Sequence, residues 1–187
     1  VRIWDYTHLI HAGKALSMAP LPKGNRVGFL APSGAMLVVL TDYCIRLGLE
    51  VPELAPESVR RLQEISPPFI RMRNPVDIWP ACSVHGTEFG YREGMEALLK
   101  DPNIDAVVPI LMLTQDVDIP PYDFIVDLAK KYPDKPIITT FSADKKYMDE
   151  CKDYIEARGV PSFAEIEQPF EVLSFLYRCA RSKNRPR

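Results

Sequence analysis

The chain has 187 residues, 47% of them apolar, and a formal charge of −2, which suits one domain with a substantial core. That charge offers no electrostatic case for nucleic acid or an anionic membrane, and no apolar run reaches membrane-spanning length. The N-terminus lacks a basic region followed by an apolar run, so no signal peptide is read and a cytoplasmic protein is expected.

In chain order, residues 5–18 read as a helix with Tyr6, Leu9, Ile10 and Leu16 on one side, followed by a linker at 19–25. The helix begins without preamble and Val1 is not a natural initiator, so the expectation is a domain cut from a longer polypeptide. Residues 1–24 are assigned to a helix and linker from an upstream domain, 25–181 to the main domain and 182–187 to a frayed basic tail. Residues 27–31 are a short apolar run and predict a buried strand. Pro32-Ser33-Gly34 is a tight turn, and from about Ala35 the spacing of Leu37, Leu40, Tyr43, Cys44 and Leu47 predicts a helix ending at Gly48.

A second strand is read at 49–54 and a small helix at 56–65, broken by Pro67-Pro68. Residues 69–78 are read as extended and 79–86 as a loop. Thr87 predicts the cap of a helix running to about Lys100, with a turn at 101–105. Residues 106–113 form a continuous apolar run, the mark of a strand buried on both faces. A loop at 114–121 and a helix at 122–131 follow; strands are then read at 136–141 and 160–163, and helices at 144–158 and 169–181. Strands alternating with helices predict βαβ units and a mostly parallel sheet, with ligands at the carboxyl ends of the strands.

Four cysteines, Cys44, Cys82, Cys151 and Cys179, lie far apart without a CxxC pair, so neither zinc nor a disulfide framework is expected. Cys44, Cys151 and Cys179 fall in helical patterns as small buried hydrophobes. His8 and His11 share a helix face and read as packing or surface residues, with no third ligand in view. His85, in Ser83-Val-His-Gly86, reads as a loop residue that could also serve as base or phosphoryl carrier. Asp116, Asp118, Asp123 and Asp127 do not match the calcium-loop spacing. No residue of the chain is assigned a catalytic role, and no metal site is assigned.

The strand–turn–helix at Ser33 points free backbone N–H groups outward, where they and the helix dipole favour an anion, typically a phosphate. The same residues also read simply as the opening turn of an α/β domain. The glycine of a G-x-S-x-G elbow is missing, which sets aside a serine hydrolase. Asp42 reads as a charge on the solvent side of the helix. Asn74 and Asp77, in Asn74-Pro-Val-Asp77, read as residues shaping the same edge or as a turn satisfying its own backbone.

An ordered set of segments carries a family resemblance: Leu21-Pro-Lys-Gly-Asn-Arg-Val-Gly-Phe, the Ser33-Gly34 turn, Arg46-Leu-Gly-Leu-Glu50, Asn74-Pro-Val-Asp77, Leu98-Leu-Lys-Asp-Pro-Asn-Ile-Asp-Ala-Val107 and Gly159-Val-Pro-Ser-Phe163. Together they resemble the ligase-CoA domain of NDP-forming acyl-CoA synthetases, relatives of succinyl-CoA synthetase. The resemblance implies a flavodoxin-like, three-layer αβα fold. It also implies membership of an enzyme that interconverts acid, CoA and ATP with acyl-CoA, ADP and phosphate through a phosphohistidine. Ser33, Gly34, Ala35 and Met36 match the helix N-terminus that holds the phosphoryl group there. CoA, ATP/ADP and magnesium are implied for the complete enzyme and none for this domain alone. The implied partners are CoA-binding, phosphohistidine and ATP-grasp domains, on the same chain or another subunit.

Three departures accompany the resemblance. Ala35 and Met36 stand where relatives usually carry further glycine. The Ser-His-Thr-Gly motif with the phosphorylated histidine is not in this chain, and neither are the CoA-binding and ATP-grasp domains. The fragment alone is therefore not expected to turn over. The alternatives are a non-catalytic interaction or regulatory domain that kept the fold, and a module of a protein acyltransferase fusion.

Overall fold

A computed structural model describes residues 1–3, 5–112 and 122–183. Five strands, β1 (Val27–Ala31), β2 (Val76–Asp77), β3 (Ala106–Met112), β4 (Thr139–Ser142) and β5 (Ser162–Phe163), form one sheet in the order β2-β1-β3-β4-β5. Every pairing is parallel, with Phe29 beside Val108 and Leu30 beside both Val76 and Pro109. This is the flavodoxin-like order, in which the direction of winding across the sheet reverses between β1 and β3 while all strands stay parallel.

Side chains alternate across the pleat and so feed two cores. Val27, Phe29 and Ala31 of β1, with Val108 and Ile110 of β3, face α1 (Tyr6–Met18), α2 (Gly34–Arg46) and α8 (Gln168–Lys183). Leu30, Val107 and Leu111 face the opposite layer. There α3 (Pro56–Glu64), α4 (Trp79–His85), α5 (Thr87–Lys100), α6 (Asp123–Lys131) and α7 (Lys145–Glu156) pack. The three-layer αβα expectation therefore holds. Helix α1 packs on α8 through the fully buried Ala12 and Ala15, leaving Tyr6 and Ile10 in solvent.

Four local expectations are corrected. Residues 49–54 are not a strand: Glu50 makes a single parallel bridge to Arg26, then Pro52 lacks an N–H to extend the ladder and Leu54 turns into the core. Most of 69–78 is irregular, and only Val76–Asp77 pairs with β1. Residues 79–86 are mostly helical rather than a loop, because Pro80 suits a first helical turn and Ala81 and Cys82 are buried against α5. Gly90 permits that approach, since a Cβ there would stand 2.7 Å from Cys82 Sγ. Helix α5 is entered from Gly86, whose φ of 88° favours glycine, and Thr87 is its first residue rather than its cap.

Smaller differences concern element ends and cysteines. Strand β4 starts at Thr139, with Ile137 only bridging Val107, and α8 extends through Ser182 and Lys183. Cys82 is buried with Cys44 and Cys151, whereas Cys179 is only half-buried. The 114–121 loop and residues 184–187 of the tail lie outside the described residues.

At the amino end of the strands, ionic contacts tie the segment entering β1 to that entering β3, and α5 to the end of α6. The Asp105 carboxylate accepts from Arg26 Nε and Nη2, both at 2.8 Å, and from the Arg26 backbone N–H at 3.1 Å. Burial pushes the Asp105 pKa up, but the Arg26 bonds outweigh it and hold the group below the ordinary carboxylate range. Glu96 accepts from Lys131 at 2.6 Å and from Tyr132 at 2.8 Å. Led by Lys131, and against its burial, these partners lower its pKa from 4.5 to about 2.

A depressed folded-state pKa contributes stability that is fully present above the unfolded value and is lost as pH falls toward the folded one. The Glu96 contribution to the melting temperature should therefore be full and independent of pH above about pH 5 and be lost as pH falls from 4.5 to about 2. A Glu96→Gln variant should show a shallower acid limb in the same melts. An unchanged limb would refute the assignment.

Candidate functional site

Strand β1 delivers the chain to the carboxyl edge of the sheet, where Ser33 turns it into α2. Ser33 is extended (φ −153°, ψ 108°) and caps the helix, its Oγ accepting from Met36 N–H at 3.5 Å. Its carbonyl accepts the first intrahelical bond, from Leu37 N–H at 3.1 Å. The N–H groups of Gly34 and Ala35 precede the intrahelical ladder, and both residues are exposed. No acidic side chain lies in this first turn, and Arg46 in the last turn complements the opposite end of the dipole. Ser33 to Met36 thus form one exposed helix N-terminus at the β1/β3 switch point, where parallel sheets bind ligands.

Asp77 ends β2, which pairs with β1 through Ala31. Its Oδ1 accepts from Trp79 N–H at 3.2 Å, and its Oδ2 lies 3.6 Å from where a Gly34 Cβ would stand. The carboxylate is thereby anchored beside the helix N-terminus. Asn74 sits before the cis Asn74–Pro75 peptide. Its Nδ2 donates to the carbonyls of Val27 (3.0 Å) and Pro52 (3.1 Å), and its Oδ1 accepts from Phe29 N–H (3.3 Å). Between the Glu50 bridge and the Val76 pairing, β1 has no strand beside it on this edge. The Asn74 amide fills that gap as a peptide group would.

Gly34, Asp42, Asn74 and Asp77 share an open groove of about 460 Å³ between α2 and the segment entering β2. Sequence reasoning placed Asp42 in solvent without assigning it to this site. It also passed over Leu37, Val38 and Thr41 on the helix wall, and Ile70, Arg71, Met72 and Arg73 opposite. The signal was present in the alternation around Met72, which is buried between two exposed arginines.

Other candidates lie apart from the groove lining. His85 is the exposed last residue of α4, its ring 5.0 Å from Phe89. His8 and His11 stack edge-on against Phe175 and Phe163, and burial, then Lys14, pushes the His11 pKa down. Asp123 accepts from Tyr154 Oη at 2.7 Å, while Asp116 and Asp118 lie outside the described residues. Among the described residues no cluster of His, Cys, Asp or Glu could hold a metal ion. Nor is any helix there long and apolar enough to cross a membrane.

A parallel sheet in flavodoxin-like order, with a helix N-terminus at its switch point, defines the class: a flavodoxin-like α/β domain. The chain belongs to the Ligase-CoA domain family, which matches residues 27–186. Over 185 residues it is 28% identical to an ADP-forming acetate–CoA ligase II of Archaeoglobus fulgidus, covering 98% of this chain and 27% of that protein. It is 30% identical over 172 residues to the alpha subunit of the corresponding Pyrococcus furiosus enzyme, covering 87% and 36%. A solved structure from Pyrococcus horikoshii OT3 superposes with a TM-score of 0.84 at 23% identity, covering 98% of this chain and 42% of the other, and so shows the fold. The chain spans only 27% and 36% of the length of the two curated relatives.

Proposed function

We propose that this chain is one domain of an ADP-forming acyl-CoA synthetase. In this reading it presents the α2 N-terminus, Ser33 to Met36, to the phosphoryl group of a phosphohistidine supplied by another domain. The observation that carries it is the pair of free N–H groups at Gly34 and Ala35, set at the carboxyl end of β1. A helix N-terminus stabilises a phosphoryl dianion through these groups and its dipole. Asn74 fixes the wall of the site, and the free Asp77 oxygen can accept from the imidazole of the same histidine. The CoA-binding, phosphohistidine and ATP-grasp domains, and the CoA, ATP/ADP and magnesium they handle, belong to the rest of the enzyme. The boundaries proposed for the domain are residues 25–181, with 1–24 as the incoming helix and linker.

The test is Ser33→Asp in the complete enzyme. Aspartate caps helices as well as serine does, so α2 keeps its start. The added carboxylate repels the phosphoryl group, and phosphoenzyme formation and turnover should fall at least tenfold. Unchanged turnover overturns the role.

Asp77 also favours a second reading, a non-catalytic interaction domain, because its carboxylate already faces the helix N-terminus. The double variant Ala35→Gly/Met36→Gly separates the two. A working phosphoryl site should gain turnover from closer backbone approach, and an interaction domain should not.

A further inference from the structure

We propose that the groove between α2 and the segment entering β2 binds an amphipathic monocarboxylic acid. Its apolar body would lie over Leu37, Val38 and Ile70, and its carboxylate on Arg71 and Arg73. The inference rests on the ligase reading in one respect: it names the acid substrate of that reading as bulky and apolar rather than two-carbon.

A volume of about 460 Å³ falls in the range of small-molecule pockets and far exceeds what a two-carbon acid fills. Val38 stands 64% exposed and carries the apolar surface that faces the groove, above the buried Leu37 and Met72. Arg71 and Arg73 line the same groove on either side of Met72. Among the described residues neither arginine has a salt-bridge partner, although Asp42 and Asp77 line the groove too. A planar guanidinium fork matches a carboxylate bidentately. Two guanidinium groups against two carboxylates leave the lining close to neutral, which suits a singly charged ligand over a polyphosphate. The three hydrogen bonds of Asn74 hold the arginine-bearing wall in place before any ligand arrives.

The experiment is a calorimetric titration of the 187-residue chain with 3-phenylpropanoate, acetate, 3-phenylpropanol and ADP. The acid should bind at least tenfold tighter than any of the other three. Arg71→Ala/Arg73→Ala and, separately, Val38→Glu should each weaken it at least tenfold. All three positions are exposed, so far-UV circular dichroism and melting temperature should stay unchanged. Equal binding of acid and alcohol, tighter binding of ADP, indifference to the arginine variant, or no saturable binding each overturns the proposal. Failure of the ligase reading is read elsewhere, in the Ser33→Asp turnover. Binding of 3-phenylpropanoate together with unchanged Ser33→Asp turnover would keep the groove and overturn its role as a substrate site.

Discussion

Replacing Asn74 by alanine should destabilise the domain by about 2–4 kcal/mol, because three backbone groups lose their partners at once. The Phe29 N–H and the Val27 and Pro52 carbonyls are served by this one amide, at a stretch of β1 with no neighbouring strand to replace it. For a chain of this size that loss corresponds to a fall in melting temperature of about 10 °C. The isosteric Asn74→Asp change should be at least as damaging at pH 7. It removes both donors and sets a carboxylate against two carbonyl oxygens. Its folded-state pKa would be raised, so the deficit relative to the parent should shrink as pH falls from 7 toward 4. A melting temperature within a degree or two of the parent for Asn74→Ala would show that water replaces the amide without loss.

The second large effect is expected from Phe29→Ala. Phe29 has no exposed surface, and its ring packs edge-on against Phe170 of α8, with centroids 5.1 Å apart. Truncation leaves a cavity between the sheet and the α1–α2–α8 layer and should cost about 3–5 kcal/mol, read as a lower midpoint in urea unfolding. Phe29→Leu keeps most of the volume and should recover more than half of that loss. Because β1 carries the Ser33 turn, a complete enzyme with Phe29→Ala should lose activity through a smaller folded fraction. Its turnover per folded molecule should be far less affected than that of Ser33→Asp. That contrast separates the support of the turn from the turn itself.

The two results bear on one piece of architecture. Asn74 holds β1 from the edge and Phe29 holds it from one face, while Ser33 and Asp77 sit where β1 and β2 end. The α2 N-terminus and the Asp77 carboxylate are therefore both tied to β1, one through the Ser33 turn and the other through the Ala31–Asp77 pairing.

Local chemistry alone determined much of this protein. Unbroken apolar runs marked the strands at 27–31 and, within the described residues, 106–112, buried on both faces up to the exposed Met112, because no polar residue interrupts them. Apolar spacing marked α2 and α8 within a residue or two, and Ser33 before Gly34-Ala35 marked a helix start. The ordered set of segments identified the family. What remained depended on contacts between residues distant in the chain. Residues 49–54 look like a strand but have only the bottom of β1 to pair with, so ladder formation stops at Glu50. Residues 79–85 look like a loop until burial of Ala81 and Cys82 against Gly90 repays the ordering of a helix. The shared edge of Ser33, Asn74 and Asp77 was legible, but the groove itself was not, since its walls are about 30 residues apart in sequence and become neighbours only when β2 pairs with β1. Periodicity records how one segment is buried, whereas a site requires knowing which segments the sheet brings together.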